Sequence, residues 1–186
     1  MKIAIIVGSV RTGRQTPKAA NYLKQQLLLD EKVDHVDYLD LAEFNFPIME
    51  ERNAYLTDKP ARLEEFSDRL TAADAIVIVS PEYNGSIPGV LKNTLDYFYP
   101  ELSKKTIGLL TVSRGNMGGI NVHHDLQKYI LHIRAYAVPT KYMLTQIHKA
   151  FDEDGNPLDQ HFIKGTQGFI NELTWLTEAI VNQKKL

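Results

Sequence analysis

Two arginines, two glycines and the hydroxyls of Ser9 and Thr16 fall within one short stretch, Gly8-Ser9-Val10-Arg11-Thr12-Gly13-Arg14-Gln15-Thr16. These are the parts of an anion cradle. A glycine-rich turn exposes backbone N–H groups at the start of a helix, where the helix dipole adds positive potential. Hydroxyls add donors, and an arginine adds a charged fork that matches phosphate oxygens. The candidates on this loop are Ser9, Arg11, Gln15 and Thr16. The glycine spacing matches the nucleoside-triphosphate loop G-x-x-x-x-G, but Arg14 and Gln15 stand where that loop needs lysine and a magnesium-binding hydroxyl. The dinucleotide fingerprint G-x-G-x-x-G is absent as well, so the pattern favours a single phosphate.

Two further loops have the same character. Pro81-Glu82-Tyr83-Asn84-Gly85-Ser86-Ile87-Pro88-Gly89 follows an apolar run, Ala75 to Ser80, and precedes an amphipathic one, Val90 to Tyr99. It offers backbone N–H groups, a tyrosine face and an asparagine amide to something flat with polar edges. Ser113-Arg114-Gly115-Asn116-Met117-Gly118-Gly119 follows another apolar run, and its glycines let backbone approach a planar group closely. A phosphate cradle beside a slot for a flat ring suits a mononucleotide carrying a flavin.

These loops need elements to hold them, and the chain supplies an alternation of strand and helix. Lys2 to Gly8, Val33 to Asp40, Ala75 to Ser80, Thr106 to Ser113 and Ala135 to Thr140 read as strands, the last the weakest. Helices are expected over Thr16 to Leu29, from Pro60 with Asp58 as cap, over Val90 to Tyr99, and through the stripes Val122-Leu126-Ile130-Ile133 and Phe162-Phe169-Leu173-Leu176-Ile180. Several strands are nearly continuous Ile, Val and Leu, as when both faces are covered. The expectation is an α/β fold: a doubly wound five-stranded parallel sheet with helices on both faces, in one domain spanning 1–186. In such sheets ligands bind at the carboxyl ends of the strands, where all three loops fall. Glu43 to Thr57 and Lys141 to Pro157 lie outside the alternation, and connections of that length are often functional or interfacial.

The bulk numbers exclude other classes. A net charge of -2 over 186 residues gives no electrostatic case for nucleic acid or an anionic membrane, and no apolar run approaches a membrane span. The start of the chain runs directly into a strand pattern with no cleavage site, so no secretory signal is expected. With no cysteines, disulfides, thiol catalysis and cysteine-ligated metals drop out, and a cytoplasmic setting is consistent. The six histidines show no metal-ligand spacing, and Ser9 and Ser113 lack a nucleophile's sequence context, so neither a metal site nor a hydrolase is expected.

The three loop motifs, Gly-Ser-x-Arg, Pro-Glu-Tyr-Asn-Gly-Ser-Ile-Pro-Gly-x-Leu-Lys-Asn and Ser-x-Gly-x-x-Gly-Gly, resemble those of the NAD(P)H-dependent FMN reductases, and the order of elements is similar over nearly the whole chain. The resemblance implies a flavodoxin-like fold with FMN as cofactor. Ser9, Arg11 and Thr16 would hold the phosphate. Pro81, Glu82, Tyr83, Asn84 and Gly85 would run along the flavin and ribityl chain, with Ser113 and Gly115 at the pyrimidine side. NADPH or NADH would deliver hydride to the flavin, and electrons would pass to a small-molecule acceptor: a flavin, a quinone, an azo compound or similar. Arg14 and Arg114 are candidate contacts for the pyridine-nucleotide phosphates. The rival is a flavodoxin-type electron carrier without its own catalysis, which the loop arginines and weak net charge disfavour. Many relatives have serine at Thr16 and often tryptophan at Tyr97. A homodimer or homotetramer is expected, with Tyr97, Tyr99 and the Phe44 to Met49 segment near the subunit contact.

Overall fold

The computed structural model describes residues 1–183. Strands β1 (Lys2–Val7), β2 (His35–Asp40), β3 (Ala75–Pro81), β4 (Thr106–Val112), β5 (Tyr136–Ala137) and β6 (Tyr142–Leu144) form one sheet. All pairings within it are parallel, in the order β2-β1-β3-β4-β5, and β6 also pairs with β4. The helices are α1 (Thr16–Leu27), α2 (Leu41–Phe44), α3 (Leu63–Ala72), α4 (Gly89–Tyr97), α5 (Ile120–His132) and α6 (Gln160–Gln183).

Successive strand residues point to opposite faces, and this divides the core in two. Ile3, Ile5, Val7, Val77 and Val79 meet Leu23 and Leu27 of α1 and Phe162, Phe169 and Leu173 of α6. Ala4, Ile6, Ile76 and Ile78 meet Phe66 and Leu70 of α3, Leu91 and Leu95 of α4, and Leu126 and Ile130 of α5. Each large side chain so buried contributes about 1.5–3 kcal/mol relative to exposure. Strands covered on both faces explain the unbroken apolar runs of β1, β3 and β4. Lys105, just before β4, donates from Nζ to the carbonyls of Leu70 (2.7 Å), Thr71 (2.9 Å) and Ala73 (2.5 Å). A cation thus closes the carboxyl end of α3, where the dipole is negative.

Four sequence expectations are corrected. The helix expected from Pro60 starts at Leu63, and Arg62, not Asp58, sits at its cap with φ of 63°. The Arg62 guanidinium then lies 4.1 Å from the Phe44 ring centroid and bonds Glu65 and the carbonyl of Glu43. The fifth strand expected over Ala135 to Thr140 is two short pieces either side of Val138–Lys141, each pairing a different part of β4. Tyr97 is buried within its own chain: its hydroxyl donates to the carbonyl of Pro47 at 3.2 Å and its ring meets Phe46. Phe44 is likewise buried against Phe66, so neither Tyr97 nor Phe44 can cover a neighbour; Phe46 packs on Phe66 and stays half-buried.

Candidate functional site

Strand order reverses between β1 and β3, since the chain leaves β1 for β2 on one side and reaches β3 on the other. A cavity of about 440 Å³ opens at the carboxyl edge of this switch point. That size is within the usual range for a small-molecule site. Nine of the twelve candidate residues line it: Ser9, Arg11, Gln15, Thr16, Pro81, Glu82, Tyr83, Ser113 and Arg114. Asn84, Gly85 and Gly115 do not line it. Asn84 and Gly85, with φ of 51° and 78°, form the two-residue tip of a tight hairpin closed by reciprocal 3.1 Å bonds between Tyr83 and Ser86. Asn-Gly supplies the positive φ such a turn demands. Val112, Ile147 and His148 also line the cavity and were missed from sequence. Val112 ends β4, and Ile147 and His148 arrive because the chain beyond β6 continues alongside the third loop: Gln146 N donates to Gly115 O at 3.0 Å and Ile147 N to Ser113 O at 2.9 Å.

The phosphate end is built around α1. The backbone N–H groups of Gly13, Gln15 and Thr16 make no hydrogen bond among the described residues, and position 17 is proline, which has no N–H. No carboxylate enters the first turn, and Gln15 does not cap the helix but turns its amide to Gly13 O. Arg11 makes no ion pair among the described residues; its guanidinium lies 5.3 Å from the Tyr83 ring centroid. Arg14 is different. It grips Asp40 through both terminal nitrogens (2.5 and 2.7 Å) and the carbonyl of Ser9 at 2.5 Å. The hydrogen bond to Asp40 raises its already high pKa further. Arg14 therefore shapes the loop and is not free for a second phosphate, which leaves Arg114 as the candidate for that part. The Asp40 charge, after burial itself, helps push the Tyr38 phenol up to about 12.

The ring loop, 81–89, is tied to both neighbours. The Tyr83 hydroxyl and Ser9 Oγ are 2.6 Å apart. The Glu82 carboxylate accepts from Asn121 N (3.0 Å), Asn121 Nδ2 (3.2 Å) and Val122 N (3.3 Å) at the start of α5, and Glu82 N extends the β4 ladder by donating to Val112 O. Ser86 Oγ donates to Asp125 Oδ2 at 2.6 Å, one turn further along α5. In the third loop, Gly119 with φ of 81° turns the chain into α5, and a Cβ there would lie 3.2 Å from Thr111 Cβ. The free donors and the unpaired Arg11 suit a phosphate monoester, and the walls formed by Pro81, Tyr83 and Val112 suit a flat ring, so the residues present fit FMN.

A parallel sheet in the order 2-1-3-4-5, with an open helix N-terminus and a ring-sized slot at its switch point, defines a flavodoxin-like mononucleotide-binding protein. Comparison with known proteins is specific. The family model described as NADPH-dependent FMN reductase matches residues 1–149. A NAD(P)H-dependent FMN reductase of Saccharomyces cerevisiae is 34% identical over 71% of this chain and 74% of its own length. An FMN-dependent NADPH-azoreductase of Staphylococcus haemolyticus is 35% identical over 76% and 75%. The solved structure of a flavoenzyme NAD(P)H:(acceptor) oxidoreductase from Paracoccus denitrificans superposes with a TM-score of 0.78 at 25% identity, covering 96% of this chain and 97% of that one. This chain belongs to the NADPH-dependent FMN reductase family. It is an oxidoreductase with FMN as cofactor and a reduced pyridine nucleotide as cosubstrate. No helix among the described residues is long and apolar enough to cross a membrane, and these residues bring together no group of three or more His, Cys, Asp or Glu that could hold a metal ion.

Proposed function

We propose that residues 1–186 form one FMN-binding domain in which Ser9, Arg11, Gln15 and Thr16 hold the phosphate. Pro81 to Gly85 support the ring, Ser113 and Gly115 border its pyrimidine side, and Arg114 meets a phosphate of the pyridine nucleotide. Bound flavin supplies the redox chemistry, taking two electrons from NADPH or NADH and returning them to a second small molecule. The chain's residues bind and orient; no side chain is needed as acid or base. The acceptor class is a quinone, an azo compound or a free flavin, by analogy with the named relatives, which include a quinone reductase and azoreductases. The observation that carries this reading is the open α1 N-terminus beside unpaired Arg11, facing a cavity at the switch point.

The working unit in this reading is a cytoplasmic homodimer or homotetramer. With Tyr97 assigned to the core, the support is the groove between α4 and α5, where Tyr99, Tyr129 and the exposed Leu131 lie. Light scattering should give at least twice the 21.1 kDa chain mass. The functional test is direct. Denaturation should release FMN and not FAD. Anaerobic NADPH should bleach the bound flavin, and a quinone or azo dye should restore its colour through repeated cycles. Bleaching without turnover on any acceptor class would instead make the protein a carrier.

A further inference from the structure

Helix α5 has no cap of its own. Its N-cap residue is Gly119, which makes no side-chain bond, and no acidic residue lies in its first turn. The amides of its first three residues are nevertheless all used. Ile120 N and His123 N bond Met117 O and Gly119 O locally, while Asn121 N and Val122 N go to Glu82, 39 and 40 residues back in the chain. Capping normally comes from the residue next to the helix. Here it comes from the ring loop. Next to Glu82, Tyr83 reaches the other way and meets Ser9 in the phosphate loop. Consecutive residues of an extended segment point to opposite sides. Glu82 and Tyr83 therefore form a bracket, with one arm on the first turn of α5 and one on the phosphate loop.

We propose that Glu82 is a positioning residue: its carboxylate locks the ring loop to the first turn of α5, directly after the third loop, and so holds the two walls of the ring slot in register. The proposal rests on the reading that the flavin ring lies against Pro81 to Gly85. It also gives Glu82 a role distinct from ring contact, because its carboxylate faces α5. Ser86 bonding Asp125 supports the same side of the loop from one turn further along. A cap and a tether differ in one respect. A cap needs only a carboxylate at α5; a tether needs that carboxylate to be attached to the ring loop.

Formate can replace the first and not the second. The test titrates riboflavin, which lacks the phosphate with which formate would compete, into the wild type and into Glu82→Ala, with and without formate. Hydrogen exchange of the same samples is followed without flavin. Glu82→Ala should weaken riboflavin binding roughly tenfold, as expected for losing a charged hydrogen-bond acceptor. Amides of 83–86 and of 121–122 should exchange faster in this variant. Formate should raise the melting temperature and slow exchange at 121–122, but leave 83–86 fast and riboflavin binding weak. Formate restoring riboflavin affinity or the protection of 83–86 would reduce Glu82 to a cap and overturn the proposal, as would wild-type affinity and exchange in the variant. If Glu82→Ala does not fold, Glu82→Gln carries the test, with smaller losses in the same pattern. A wild type that binds no flavin would remove the functional reading, and the exchange arm would still decide whether the lock exists.

Discussion

Helices α1 and α5 start alike and end up as opposites. Each follows a buried strand through a glycine-bearing loop at the same sheet edge, each lacks a side-chain cap, and neither has an acidic residue in its first turn. At α1 the amides of Gln15 and Thr16 stay unpaired. At α5 the first helical amide, Ile120 N, bonds Met117 O and the next two, Asn121 N and Val122 N, are filled by Glu82; the matching positions of α1 after Thr16 are Pro17, which has no N–H, and Lys18, whose N–H bonds Gln15 O. A glycine loop opening a helix is therefore not in itself a phosphate site. What decides is whether the rest of the fold sends an acceptor to the free amides. Of these two only α1 is left open, with Arg11 lining the same cavity, while Glu82 is already used at α5.

Several substitutions break or sharpen this contrast. Arg11→Ala should have the largest effect. A charged hydrogen bond to phosphate contributes roughly 1.5–3 kcal/mol. FMN affinity should fall about tenfold to a hundredfold, with riboflavin affinity nearly unchanged. Equal losses for both ligands in calorimetry would move Arg11 from the phosphate to the fold. Tyr83→Phe acts on the same end through Ser9. It removes one hydroxyl partner, so FMN should weaken about twofold to tenfold and riboflavin less. A loss confined to riboflavin would place the Tyr83 hydroxyl on the ring side.

His123, in the first turn of α5, sharpens the closed side with a smaller effect at neutral pH. It is fully buried, and neither ring nitrogen has a hydrogen-bond partner. Burial first, then the neighbouring charges of His124 and Lys141, lower its pKa from 6.5 to about 4. The folded state thus resists protonating it. Its contribution to stability is complete above the unfolded pKa near 6.5 and is lost as pH falls from there towards about 4. His123→Leu should stabilise the protein by about 1 kcal/mol at pH 7, by removing an unpaired buried polar group. It should also flatten the loss of stability between pH 6.5 and pH 4 seen in thermal melts. An unchanged acid limb would mean another group titrates there. FMN affinity should not change, because His123 does not line the cavity.

How much of this was visible in the sequence follows from the range of each interaction. β1, β3 and β4 are buried on both faces, so their apolar runs announced them, and their loops carried Gly, Pro and Asn for backbone reasons local to the turn. β5 and β6 pair along one edge only and for a few residues, and the break at Val138–Lys141 left no periodic signal. Arg14 looked like a free cation because Asp40 is 26 residues away, and the tie of Glu82 to α5 left no signal because Asn121 is 39 residues away. His148 enters the cavity only through the register of the chain beyond β6 against the third loop. Tyr97 read as a surface residue because its helix was assigned one inward face. The return of the Phe44 to Met49 segment over α4 gave it a second.

The central claim is that the cofactor's phosphate goes to α1 and that α5 is closed to it. The most direct test is amide NMR of the protein saturated with FMN and, separately, with riboflavin. Both share the ring, so the difference between the two spectra reports the phosphate alone. The account predicts differences concentrated at residues 9–16, with residues 119–122 the same in both. Differences centred on 119–122, with 9–16 unchanged, would contradict it.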